Sequence, residues 1–325
     1  MMDRRQCLTG ALATLCGLPA WAETALDGGK GPVRITSTLP AGSGPDVVAR
    51  LVAEKLQARW DRAVVVDPRP GGAGSVAINA MKGAPPNGAN LVVVDVGQLS
   101  INPLIFRRLS YDPDKDLVPV AILYQTAFFV AVAADSPYRS LKDLFAQSGR
   151  TQPLRYGSNG VGTPIHLASA RLEHAIGMPM LHVPYKETAQ MYAAVSTGEL
   201  DWAYGSVATT APLVQAGKLR LLAVADRQRF AAVPDVPTLE EALGLKDLDA
   251  LSWVALMASR GTPARVADEI NAAVNVALAS PDVRERMAGF GFVPGNGPAR
   301  QVTEWMQADR RRYAEVLKRV KVQVD

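Results

Sequence analysis

The sequence predicts an α/β protein built of two doubly wound lobes that face each other across a central ligand cleft. Three observations carry this reading. The chain has 325 residues, more than one hydrophobic core ordinarily holds. A short β-branched or apolar run, a Gly/Ser/Thr loop and a helix recur in that order in both halves. Two apolar segments, 118–134 and 251–258, are placed to carry the chain from one half to the other and back.

The elements follow in chain order. Residues 33–38 read as a strand, 40–44 as a loop, and 45–60 as a helix with Val48, Leu51, Val52 and Leu56 along one face and Pro45 in its first turn. The next strand is 63–66; Gly71, Gly72 and Gly74 make its loop, and a helix runs from Ser75 towards Lys82. Residues 91–94 form a third strand, with 97–100 as its loop. In the second half, 154–156 leads into a glycine loop, after which Thr163 as N-cap and Pro164 in the first turn open a helix that ends at Gly177. Its apolar face is Ile165, Ala168, Leu172 and Ile176. Residues 201–204 are another strand, followed by Gly205, Ser206, Thr209 and Thr210 and by a short helix that stops at Gly217. The last third is helical: Thr262-Pro263 and Ser280-Pro281 are start signals, and Val302, Trp305, Met306, Tyr313, Val316, Leu317 and Val320 make one core stripe. Lobe one is therefore expected at 31–126, lobe two at 127–245, and the return to lobe one with the terminal helices at 246–325.

Residues 1–22 read as a cleavable signal peptide: Arg4 and Arg5 precede a mildly apolar stretch, and Ala20 and Ala22 offer the small residues a signal peptidase reads. The stretch is too short to span a membrane, which takes roughly 20 apolar residues, so the mature chain is expected to be exported and soluble. Both cysteines, Cys7 and Cys16, lie inside it, which leaves the mature form without a thiol and excludes disulfides, Cys-ligated zinc and a Cys nucleophile. Removing it leaves 33 basic and 30 acidic residues with no concentrated basic patch, so nucleic acid is not an expected partner.

Tests for catalytic motifs come back negative. Gly42-Ser43-Gly44 has Val47 where a dinucleotide fingerprint requires its third glycine, and there is no GxxxxGK[ST], GxSxG or HExxH. The histidines are His166, His174 and His182, and the spacing of eight between the first two does not keep them on one helical face. No cofactor and no metal are expected. The glycine loops point elsewhere. In an open α/β sheet, ligands sit beyond the carboxyl ends of the strands, where free N–H groups at helix starts favour anions. The candidates are Ala41, Gly42, Ser43 and Gly44 in the first half and Ser158, Asn159, Gly160, Gly162 and Thr163 in the second. Any one such loop is by default a tight turn or helix cap; recurrence in both halves shifts the reading towards a clamp for a carboxylate. Asp46, in the first helical turn, would accept loop amides and shape the loop, and His166 would border the cleft.

Ordered motifs then carry a resemblance: Pro40-Ala41-Gly42 followed by Asp46-Val47-Val48-Ala49-Arg50, Arg69-Pro70-Gly71 with Gly74, Ile101-Asn102-Pro103 leading to Tyr111-Asp112-Pro113, His166-Leu167-Ala168, His182-Val183-Pro184-Tyr185-Lys186, Gly217-Lys218-Leu219-Arg220, Pro234-Asp235-Val236-Pro237-Thr238 and Gly261-Thr262-Pro263. Through them nearly all of the mature chain resembles the solute-binding proteins of tripartite tricarboxylate transporters, the Bug family. The resemblance implies a two-lobed periplasmic-binding-protein-like (type II) fold, closing on a small organic carboxylate and presenting it as a monomer to inner-membrane transporter subunits. It implies ligand contacts at Pro40 to Gly44 and at Ser158 to Thr163, with Asp46, Gly97, Gln98, His166, Tyr185, Tyr204 and Gly205 completing the candidate set. Three departures bear on specificity: Glu187-Thr188 follows Lys186 where glycine is frequent, Gly205 follows Tyr204 where an acid is frequent, and the first loop reads Gly42-Ser43-Gly44-Pro45 instead of Gly-Gly-Ser-Thr. A receptor serving a membrane sensor kinase is the alternative; an exported α/β enzyme would require Asp46, His166 and Tyr185 to converge.

Overall fold

The computed structural model describes residues 31–146, 152–318 and 322; the signal-peptide segment, both cysteines and Val320 lie outside them. Eleven strands among the described residues form two sheets: β1 (Val33–Ser37), β2 (Val64–Pro68), β3 (Asn90–Asp95), β4 (Leu117–Ala127), β5 (Phe129–Ala133), β6 (Arg155–Ser158), β7 (Leu181–Pro184), β8 (Trp202–Gly205), β9 (Leu219–Val224), β10 (Leu251–Ser259) and β11 (Val293–Pro294). One sheet has the order β11-β4-β10-β3-β1-β2 and the other β7-β6-β8-β5-β9. β1 pairs in parallel with β2 and β3, and β6 in parallel with β7 and β8, as strand–loop–helix repeats demand.

Helices cover both faces of each sheet. Val92, Val93 and Val94 of β3 are all fully buried, the mark of a strand sandwiched between two helix layers. The helices Gly44–Trp60 and Ala264–Ala279 pack on one face of the first sheet through Val48, Val52, Leu56, Ile270 and Val274. The helices Ser75–Lys82 and Arg300–Leu317 cover the other through Ile78, Met81, Val302, Met306 and Tyr313. In the second sheet, Pro164–Ile176 lies over Tyr156, Trp202 and Tyr204, and Thr188–Ser196 lies over Ala131 and Ala203.

The chain crosses between the sheets at one residue, Phe128, which separates β4 from β5. Its amide donates to the Ala250 carbonyl at 3.2 Å and its carbonyl accepts from Ala225 at 2.8 Å, while the Ala250 amide donates to Ala225 at 2.8 Å. The outgoing strand and both sides of the return are thus stitched together where the chain changes sheet. Beside it, Trp253 Nε1 donates to Asp309 at 2.6 Å, Arg312 pairs with Asp249 at 3.1 Å, and Arg171 Nη1 donates to the Asp249 carbonyl at 3.0 Å. Burial pushes the Asp309 carboxyl up, opposed by the Trp253 hydrogen bond.

Two parts of the sequence expectation change. Residues 97–100 are no irregular loop: Gly97–Ile101 forms a helical turn that continues into Asn102–Ile105, because the Asp95 carboxylate accepts the Gly97 amide at 2.7 Å and caps it. The strand β9 and the helix Thr188–Ser196 were not anticipated; that helix begins without a side-chain cap. Trp253→Phe should cost about 1–3 kcal/mol in urea unfolding at neutral pH, since it strips the buried Asp309 of its donor; an unchanged midpoint would show that Arg312 alone satisfies the carboxylate.

Candidate functional site

The loops that follow β1, β3, β6 and β8 lie at the carboxyl ends of their strands, and in the first three a side chain of the same lobe fixes the backbone. After β1, Asp46 is 3% exposed and accepts the Gly42 amide at 2.9 Å, while Arg50 holds both of its oxygens at 3.0 and 3.1 Å. The hydrogen bond to Asp46 raises the Arg50 guanidinium. Asp46 therefore shapes the loop. The Ser43 amide and hydroxyl both turn back on the Pro40 carbonyl, and Gly42 has φ +76°. Ala41 and Pro40 are exposed, and the Gly44 amide, in the first helical turn, has no intrahelical acceptor. Gly44 is also a point of close approach: a Cβ there would lie 2.6 Å from Phe292 Cζ.

After β3, the Gln98 side-chain oxygen accepts from the Asp95 amide at 2.8 Å and the Thr38 hydroxyl at 3.3 Å. This leaves its NH2 as the donor end. Gly97, buried, spends its own amide on Asp95.

The second-lobe loop is braced by two histidines. Ser158, fully buried at the end of β6, donates to the Gly160 carbonyl at 2.9 Å, accepts the Gly160 amide at 3.2 Å and lies 2.7 Å from His182 Nε2. His182 stacks on His166 with ring centroids 4.0 Å apart, and His166 Nδ1 accepts the Gly162 amide at 3.0 Å. Nδ1 of His166 is thus the acceptor and Nε2 carries the proton; His182 satisfies Ser158 as an Nε2–H donor. Burial, then the neighbouring His182, pushes His166 down to about 4, and burial lowers His182 as well. Both rings are neutral. Thr163 caps the following helix, donating to Gly160 at 2.8 Å and accepting weakly from His166 at 3.4 Å. Among the described residues no acceptor engages the amides of Asn159, Val161 or Thr163, and Asn159 is exposed. His166 was expected at the cleft, but its partner His182, sixteen positions on and in β7, was not; a pair of stacked neutral imidazoles is a signal that periodicity does not carry.

The remaining candidates separate. Tyr185 joins the loop by its backbone, its amide donating to Ser158 at 2.9 Å, while its hydroxyl turns to Glu199 at 3.3 Å. Tyr204 is a core residue, 1% exposed and packed edge-on to Trp202 at 5.4 Å, so its ring is not offered to the cleft. Strand alternation explains this: Trp202 and Tyr204 face the helix Pro164–Ile176, and only the end of β8 reaches the cleft. Gly205 is there, and a Cβ on it would collide with the Tyr192 hydroxyl and lie 2.5 Å from Thr210 Cγ2. That hydroxyl is held 2.9 Å from Thr209 Oγ1. An acid at 205 has no room in this packing.

The lobes also touch. A Cβ on Gly162 would lie 2.5 Å from Ile105 Cδ1 of the first lobe, and one on Gly291 would lie 2.5 Å from Val207 of the second. Near the crossover lies a cavity of about 760 Å³ whose lining includes Arg171, Arg227 and Arg312. Each of these cations already has a carboxylate partner in Asp247 or Asp249, so the cavity offers an anion little that is unspent. No group of three or more His, Cys, Asp or Glu able to hold a metal occurs among the described residues, and no described helix is long and apolar enough to cross a membrane.

The family model of tripartite tricarboxylate transporter family receptors matches residues 48–322. A UPF0065 protein of Pseudomonas sp. (strain P51) is 30% identical over 288 residues, covering 88% of this chain and 85% of its own length. Among solved structures, one described as a periplasmic transporter superposes with TM-score 0.79 at 28% identity, covering 91% of this chain and 99% of that one. Rpa4515 of R. palustris with adipate gives 0.80 at 27% identity, covering 90% and 98%.

Two outcomes follow from this geometry. Gly205→Ala should destabilise the protein by about 1–3 kcal/mol through overpacking, and Tyr192→Phe in the same chain should recover part of the loss; equal cost in both backgrounds would remove the hydroxyl from the explanation. The unfolded chain protonates its histidines from about pH 6.5 downward, whereas His166 in the fold resists to about 4. The unfolded state binds more protons in that window, so stability should fall as pH drops through it. His166→Asn, which keeps an acceptor for Gly162, should flatten the decline in melting temperature; an identical slope would show that His166 does not carry it.

Proposed function

Since the chain belongs to the tripartite tricarboxylate transporter receptor family, we propose that it is a periplasmic solute-binding receptor that captures a small organic carboxylate between its lobes and delivers it to a tripartite tricarboxylate-type transporter of the inner membrane. What supports this reading is a glycine loop in each lobe whose backbone is fixed by its own lobe while other amides stay unspent. In the second lobe, Asn159, Val161 and Thr163 would receive the carboxylate on their N–H groups. From the first lobe, the Ala41 and Gly44 amides and the Gln98 NH2 would close over the guest. Gly42, Gly97, Gly160 and Gly162, with Asp46, Ser158 and His166, hold these donors in place. The adipate held by the R. palustris relative agrees with a carboxylate as guest.

Capture needs no covalent step. The Ser158 hydroxyl lies next to His182 as a nucleophile lies next to a base, yet it is fully buried and spent on Gly160. Residues 31–126 with 246–318 form one moving body and 127–245 the other, turning about Phe128, Ala225 and Ala250. A guest that contacts both bodies only when they are shut shifts the population towards the shut form. The receptor acts as a monomer.

Small-angle scattering of the protein without residues 1–22 should show a smaller radius of gyration on addition of a bound carboxylate, with stability rising by about 2.7 kcal/mol at about 100 times the dissociation constant. Gly160→Val should fold yet lose both responses. Gly160 sits at φ +125°, closed to a β-branched residue, while a Cβ there meets only Thr163 Cγ2 at an ordinary 3.5 Å. Unchanged dimensions across a broad carboxylate panel, or normal affinity in Gly160→Val, would contradict the reading.

A further inference from the structure

β2 is the edge of the first sheet, and β1 lies between it and β3. Arg34 sits opposite Val65 of β2 and Asn90 of β3, and Thr36 sits opposite Asp67 and Val92, so these side chains share one face. Val92 packs with Ile78 and Met81, which identifies the face as the one under the helix Ser75–Lys82. Over β2 that cover runs out: Val65 is 48% exposed. Beside the helix lies a cavity of about 420 Å³, lined from the sheet side by Arg34, Thr36, Arg69 and Asn90 and from the helix by Asn79 and Met81. Its lining holds two guanidiniums and no carboxylate. The cavity near the crossover differs, because Asp247 and Asp249 share its lining with the arginines they neutralise.

The donors in this cavity are largely unspent. Asp67, outside the lining, takes Arg34 Nη1 at 3.1 Å and Arg69 Nε at 2.9 Å on the same oxygen. One carboxylate thus answers two cations, and a positive charge is left over together with Arg34 Nη2 and both terminal nitrogens of Arg69. Thr36 is 3% exposed, yet among the described residues nothing bonds its hydroxyl, which lines the cavity. Buried hydroxyls are ordinarily spent, as Thr38 on the same chain segment spends its own on the Val93 carbonyl. The Asn90 side-chain amide also has no partner among the described residues. We propose that this cavity is a second binding site, for a small oxyanion carrying a carboxylate or phosphate group: Arg34 and Arg69 grip its oxygens, as the planar guanidinium fork does best, and Thr36 and Asn90 donate from the sheet. The site is separate from the guest cleft. Arg34 and Asn90 stand at the amino ends of β1 and β3, and no lining residue belongs to the loops that follow β1, β3, β6 and β8. The inference does not rest on the carboxylate-receptor reading.

Backbone-amide NMR of the protein without residues 1–22, titrated near neutral pH and at constant ionic strength with inorganic phosphate and, separately, with acetate, tests this. At least one of the two anions should give saturable shifts at Arg34, Thr36 and Asn90 that chloride does not give, and the same shifts should appear in Gly160→Val, where the guest loop is disabled. The double variant Arg34→Gln, Arg69→Gln should weaken the response about tenfold, the size expected for charged hydrogen bonds. Thr36→Val keeps the shape of the buried residue and should weaken it several-fold. Absence of saturable shifts at these residues with both anions, an equal response to chloride, or unaltered affinity in both variants overturns the proposal and leaves the carboxylate-receptor reading standing.

Discussion

The site depends on one constraint: a backbone amide can hold a guest only if something else holds the backbone. Four times at the carboxyl ends of these strands, a side chain of the same lobe spends itself on a glycine amide: Asp46 on Gly42, Asp95 on Gly97, Ser158 on Gly160 and His166 on Gly162. Each bond removes one donor from the cleft and fixes the direction of its neighbours. Donors fixed before the guest arrives cost less to engage than donors ordered by it, which is how neutral groups can compete with water for an anion. The brace differs between the lobes. The first uses carboxylates and the second a hydroxyl and a neutral imidazole, so the second-lobe loop keeps its positive field and the first loses part of it.

The crossover between the sheets has the complementary property. Phe128, Ala225 and Ala250 exchange main-chain hydrogen bonds where the chain changes sheet, and the arginines beside them are already matched by Asp247 and Asp249. Satisfied groups at the pivot have no demand for a ligand. In the proposed reading the unspent donors sit at the loops, and Gly162 lies against Ile105 there.

Much of the fold was legible because local rules and tertiary packing agree. Thr163-Pro164 and Ser280-Pro281 start helices where their sequence says they should, and Val302, Met306, Tyr313 and Val316 of the terminal stripe are buried. What was missed lacked a local signature. The helix Thr188–Ser196 has no capping side chain, and β9 is a plain apolar run. Tyr204 was placed at the cleft because of its neighbours in sequence, but alternation along β8 turns it to the core. The His166–His182 stack is a fact of three-dimensional adjacency, set by which strands pair.

The most direct test is a crystal structure with a bound carboxylate. The account predicts a guest between the lobes, with main-chain N–H groups of the 159–163 loop on its carboxylate and atoms of the 40–44 loop or Gln98 on its other side. A guest lodged among Arg171, Arg227 and Arg312, or resting on one lobe alone with the molecule shut, would contradict it.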